Sequence, residues 1–126
     1  MSTRMNVLGL PLQPCSFAPL TGYFRDGCCR DNEQDAGRHI VCVQVSADFL
    51  QFSKRVGNDL STPRPEFGFP GLKPGDRWCL CATRWVEALT SGHAPPIYMA
   101  ATDEGILDLV SLETLVEFAL DRPTAN

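Results

Sequence analysis

The clearest pattern in the chain lies at residues 39 to 45, where His39-Ile40-Val41-Cys42-Val43-Gln44-Val45 forms a β-branched apolar run of strand length. Ser46 then stands as a helix N-cap, with Asp48 in the first turn, where the helix macrodipole favours negative charge. Phe49, Phe52 and Val56 recur at i, i+3 and i+7, Leu50 widens the stripe, and Gly57 is placed to end the helix in the left-handed region. A second strand is predicted from Arg77 to Cys81, after the turn Lys73-Pro74-Gly75-Asp76, whose Pro-Gly centre suits type II. Thr83 begins a helix through Ser91, apolar on Trp85, Val86 and Leu89, with Gly92 as its stop signal. Residues 97–101 read as a third strand and 107–110 as a short edge strand. Ser111 opens a last helix to about Leu120, buried through Leu112, Leu115, Val116 and Ala119 and closed by Pro123.

Two stretches break the period. Residues 6–37 read as an irregular lead-in, with a short strand at 22–27 running into a turn just before Cys28-Cys29. Residues 58–75 hold Pro63, Pro65, Pro70 and Pro74 with Gly68, Gly71 and Gly75, which excludes both a helix and a central strand. A long structured loop is predicted there, packed by Phe67, Phe69 and Leu72; loops of this length are often functional. The expected fold is α/β: a three- to four-stranded mixed sheet, about three helices and the Pro/Gly-rich loop. It is expected as one domain over 6–120, with disordered tails at 1–5 and 121–126.

Composition narrows the function classes. With 126 residues, 44% of them hydrophobic and 21% charged, the chain falls in the globular range. A net charge of −4 and the lack of any basic run argue against a nucleic-acid partner. No stretch is apolar enough for a membrane span, and Pro11, Pro14 and Pro19 interrupt the modest apolar stretch near the start, so a secretion signal is not expected. A cytoplasmic location is expected, and with it six cysteines that are mostly thiols. The pattern sets no oligomeric state.

Residues 58–85, NDLSTPRPEFGFPGLKPGDRWCLCATRW, together with Leu8-Gly9, Pro14-Cys15 and the 22–29 stretch, resemble a family of small, mostly bacterial proteins known only as a domain of unknown function. The resemblance covers roughly residues 6 to 120. It implies no established activity.

Three groups of residues carry candidate chemistry. Cys79 and Cys81, two apart on a strand, share a face opposite Trp78 and Leu80. Cys28, Cys29, Cys42 and His39 are further soft ligands for the fold to bring to them. No cofactor is predicted; these residues would allow a thiolate-rich zinc site, although the usual C-x₂-C clamp is missing. Core thiols are the plainer reading. A redox thiol is the third, since Arg25 and Arg30 flank Cys28-Cys29 and Cys81 precedes a helix. Arg25, Asp26, Asp59, Arg64, Glu66, Asp76 and Arg77 crowd the proline-rich loop and its surroundings, where they either pin the loop or receive a small polar or anionic ligand. His39 and His93 lie in no nucleophile motif, and no P-loop, G-x-G-x-x-G or H-E-x-x-H string occurs.

The leading expectation is therefore a small ligand-binding domain. Its site would lie between the 58–75 loop, the 22–29 turn and the Arg77–Cys81 strand. The alternatives are a cysteine-based enzyme, redox sensor or metal-binding protein, and a protein-interaction module.

Overall fold

The computed structural model describes residues 4–121, so most of both expected tails, 1–3 and 122–126, lies outside it. Two strands, β1 (His39–Gln44) and β2 (Arg77–Cys81), pair antiparallel. Three helices pack around them: α1 (Ala47–Arg55), α2 (Ala82–Thr90) and α3 (Leu112–Phe118). Three short 3₁₀ turns, Pro65–Phe67, Met99–Ala101 and Glu104–Asp108, join them. Among the described residues no helix is long and apolar enough to cross a membrane.

The α/β character is as expected, but the sheet has two strands rather than three or four and is antiparallel rather than mixed. Each missing strand has a local cause. At 22–27, Gly22, Arg25 and Gly27 all take positive φ (100°, 56° and 89°), so the chain coils into a turn instead of extending. Residues 96–103 do run along the free edge of β1. The Gln44 amide donates to Pro96 O, the Tyr98 amide to Cys42 O and the Asp103 amide to Ile40 O. They fail as a strand because Pro95 and Pro96 have no N–H to give, while the Asp121 carboxylate takes the Met99 and Ala100 amides at 2.7 and 3.0 Å. At 107–110 the chain is already committed to the 3₁₀ turn that Asp103 caps through the Gly105 amide.

The helices follow the apolar pattern more closely. Ser46 accepts the Phe49 amide, and Phe49, Leu50 and Phe52 face the core, while Val56 ends α1 at the surface. Trp85 of α2 is fully buried, donates Nε1–H to Pro95 O at 3.1 Å and meets Phe118 edge-on. Ser111 caps α3 and Leu115 is its buried anchor, but Leu112, expected inside, is 44% exposed because α3 begins at the rim.

The strand register sorts the rest. Val41 lies opposite Leu80 and Val43 opposite Trp78, so the apolar side chains share one face. Cys42 lies opposite Cys79 on the other. A register shift between His39 and Val41 inserts one residue into β1, and below it His39 faces Cys81.

Candidate functional site

The 58–75 loop folds back over β2 and is tied down locally. The Arg64 amide donates to Phe69 O, the Leu72 amide to Leu60 O, and Asp59 accepts from the Ser61 and Thr62 amides and from the Thr62 hydroxyl at 2.6 Å. The Thr62 hydroxyl, then the Ser61 amide, hold the Asp59 carboxyl below the usual aspartate range. Gly71 is needed at the closure: its φ is +78°, and a Cβ there would stand 2.6 Å from Ser61 O. Leu72 is buried, Phe69 meets Trp78 edge-on at 5.2 Å, and Phe67, expected to pack the loop, is instead 75% exposed at its tip.

Between this loop, the 22–27 turn and β2 runs a groove of three adjoining hollows that share Trp78 and Leu60. One, about 230 Å³, lies among Arg25, Asp59, Arg64, Phe67 and Phe69. The next, also about 230 Å³, lies among Gly22, Tyr23, Arg25 and His39. The third, about 190 Å³, is closed by His39, Asn58, Leu80, Cys81 and Arg84. Arg25, held by the left-handed turn, lays its guanidinium 5.3 Å from the Trp78 ring centre. The groove thus has an aromatic floor and three arginines along it.

At its far end Cys81 faces His39 across the strand pair. The imidazole Nδ1 lies 2.7 Å from Oδ1 of Asp35, a carboxylate only 1% exposed that also accepts the His39 amide. The Cys81 thiol donates to Gly37 O at 2.7 Å and lies 3.2 Å from the Thr83 hydroxyl. Sulfur and ring both crowd Gly37, whose added Cβ would be 3.2 Å from the sulfur and 3.1 Å from the ring. Cys81 is also the N-cap residue of α2.

The remaining predicted residues fall elsewhere. Asp76 accepts the Lys73 amide to close the proline turn, and Arg77 stacks 3.9 Å over Tyr98. Both line a separate hollow of about 460 Å³ with Pro14, Cys15, Phe17 and Ala18. Glu66 is exposed on the loop. Asp26 is tied to Arg30 at 2.7 Å. Burial pushes its carboxyl up, but Arg30 and the Cys28 amide outweigh that and hold it below the ordinary value. His93 bonds Asp48 of α1 and stacks on Phe52, a structural role.

The sulfurs require the largest correction. Cys42 is bonded to Cys15 and Cys79 to Cys29, both as buried disulfides; only Cys28 and Cys81 are free. The expectation of thiols came from the assumed compartment, and it gave no weight to Cys42 and Cys79 standing opposite each other on one face. Cys15, never singled out, has its sulfur within 4.8 Å of those of Cys29 and Cys79. Nor do the arginines beside Cys28 activate it. Burial and then Asp26 push its thiol up, and Arg30 opposes them only in part. Asp35 was also missed; its spacing of four residues before His39 was the available signal.

A family model described as an uncharacterized protein conserved in bacteria, DUF2237, matches residues 5–119. The chain belongs to the DUF2237 family. No curated protein matches it. In this DUF2237 member the groove and the buried sulfurs are where polar and soft side chains gather.

Proposed function

We propose that this DUF2237 protein binds a small organic anion with a flat apolar portion in the groove over Trp78. The observation that carries the reading is the convergence on one floor of the 58–75 loop, the 22–27 turn and β2, with Arg25, Arg64 and Arg84 along its length. An aromatic floor gains from a flat ligand, and guanidinium forks match a carboxylate or phosphate. Phe67, exposed at the loop tip beside Arg64, would close over the bound molecule.

The test is a titration with aryl carboxylates and aryl phosphates, followed by amide NMR shifts and tryptophan fluorescence. Saturable shifts at Leu60, Arg64 and Trp78, weakened roughly tenfold in Arg64→Gln as expected for one lost charge-assisted bond, would support the reading. Shifts scattered over the surface, or none at millimolar probe, would overturn it.

One observation favours a second reading at the same groove. Cys81 lies across the strand pair from His39, whose ring Asp35 orients, so the residue types of a nucleophile, a base and an orienting carboxylate stand together, with the thiol hydrogen-bonded to Gly37 O and Thr83 rather than to the ring. In this reading His39 takes the Cys81 proton, the sulfur forms a bond to an acyl carbon of the bound molecule, and the acyl carbon's leaving group departs with that proton. Iodoacetamide mapping checks it: Cys81 should be alkylated faster than Cys28, and His39→Gln should remove that advantage.

A further inference from the structure

Two disulfides can constrain a chain from any two places, yet here they meet at one point. Cys42 and Cys79 are cross-strand partners on the face away from the main core, and each reaches to a cysteine of the lead-in, Cys15 and Cys29. The sulfurs of Cys15, Cys29 and Cys79 all lie within 4.8 Å of one another. The fourth, of Cys42, is bonded to one of them and arises directly opposite another. All four residues are buried, with Ala101 and Tyr98 packed against them. We propose that this four-sulfur centre is a thiol-controlled site for a soft divalent cation of the zinc type, closed as two disulfides when oxidised and open to metal when reduced.

The geometry suits the ion. Tetrahedral zinc with bonds of about 2.3 Å to sulfur holds its sulfurs about 3.8 Å apart, so the Cys15 sulfur, within 4.8 Å of those of Cys29 and Cys79, already stands near that spacing, and within each bonded pair the two sulfurs need only part. Hydrogen bonds besides the S–S bonds hold these cysteine positions. The Cys15 amide donates to Gly27 O at 2.7 Å, the Cys42 amide to the Thr102 hydroxyl at 3.1 Å and the Cys79 amide to the Thr21 hydroxyl at 2.8 Å. Cys29 bridges Thr102, and both threonines are fully buried. The hollow of about 460 Å³ has Cys15 and Asp76 in its wall, so open space comes as far as one cysteine of the centre.

The chemistry balances with an external dithiol as reductant. Two dithiol molecules each give two electrons and two protons, become cyclic disulfides, and leave Cys15, Cys42, Cys29 and Cys79 as four thiols. The cation then forms four metal–sulfur bonds as four protons pass to solvent.

The experiment reduces the full chain with dithiothreitol under argon, desalts it and titrates Co²⁺, then Zn²⁺. The expected result is one equivalent of tetrahedral cobalt with sulfur-to-metal charge-transfer bands, displaced by zinc, and no uptake by oxidised protein. Thiol counting with an aromatic disulfide reagent should find two reactive thiols in reduced, zinc-loaded protein and six after chelation. The Cys28→Ser/Cys81→Ser variant should keep the cobalt spectrum, and Cys42→Ser should lose it. Because reduction could unfold the chain, circular dichroism is followed in parallel; zinc is expected to restore the oxidised protein's spectrum. No cobalt uptake, uptake lost in the Cys28/Cys81 variant, or a reduced chain that zinc fails to refold would each overturn the proposal.

Discussion

Asp103 carries a carboxylate with no solvent exposure, and its two oxygens are met from different sides. The Gly105 amide donates to one at 2.8 Å, and the Arg4 guanidinium stands 2.8 Å from the other as an ion pair without hydrogen-bond geometry. Arg4 also pairs with Asp31, which Arg38 links onward to Asp108. In Arg4→Met the second oxygen stays buried without its counter-charge. The expected loss is about 1–2 kcal/mol, toward the low end for an unpaired buried group because Arg4 is itself partly exposed. Urea unfolding checks it, and an unchanged midpoint would mean that water reaches the orphaned oxygen. Nothing in the order of residues joins Arg4 to Asp103, which is why it read only as part of a tail. Asp35 and His39, four apart, were within reach of inspection, but a histidine at a strand start has no meaning until a buried carboxylate is seen to fix its ring.

At the scale of elements, both strands and all three helices were legible because each carries its own period, and α1 and α3 a serine cap besides; the lost strands were not, since distant residues undo them. Asp121 claims the amides of Met99 and Ala100 from more than twenty positions away. Ser46 is a local device of the legible kind, and Ser46→Ala should cost about 1 kcal/mol through the lost bond to the Phe49 amide, read from the urea midpoint. The proline-rich loop adds a pH dependence. The Asp59 carboxyl is held below the usual aspartate value by the Thr62 hydroxyl first and the Ser61 amide next. A depressed carboxyl stabilises the folded loop fully above the unfolded aspartate range, and that contribution is lost as pH falls through the depressed value. The Ser61 and Thr62 amide resonances should therefore hold steady down to about pH 4 and move only below it. Movement centred above that range would show that these bonds do not hold the carboxyl. In Asp59→Asn the loop should lose the low-pH transition, and the groove wall beside Arg64 should loosen at every pH.

For the whole molecule the decisive feature is how the cysteines interleave. Cys29 lies between Cys15 and Cys42, and Cys42 between Cys29 and Cys79, so each cross-link closes a loop that the other already enters. Their connectivity could not be read from spacing, because six cysteines permit many pairings and only the strand register makes Cys42 and Cys79 neighbours. The sequence separations are 27 and 50. Alone, each bond should stabilise by about 3–4 kcal/mol through the unfolded chain's lost freedom, the longer loop slightly more. Interleaving changes the sum: once one bond is closed, the second restricts a chain that is already shortened. Cys15→Ala/Cys42→Ala and Cys29→Ala/Cys79→Ala should each lower the urea-derived stability by that amount, and the quadruple variant by clearly less than the two losses together. Full additivity would instead mean that the two bonds act on independent parts of the unfolded chain, or that each variant also loses separate packing around the sulfurs. Repeating the series with the reduced wild-type chain separates those cases, because reduction opens both bonds while leaving all four sulfurs to fill the space.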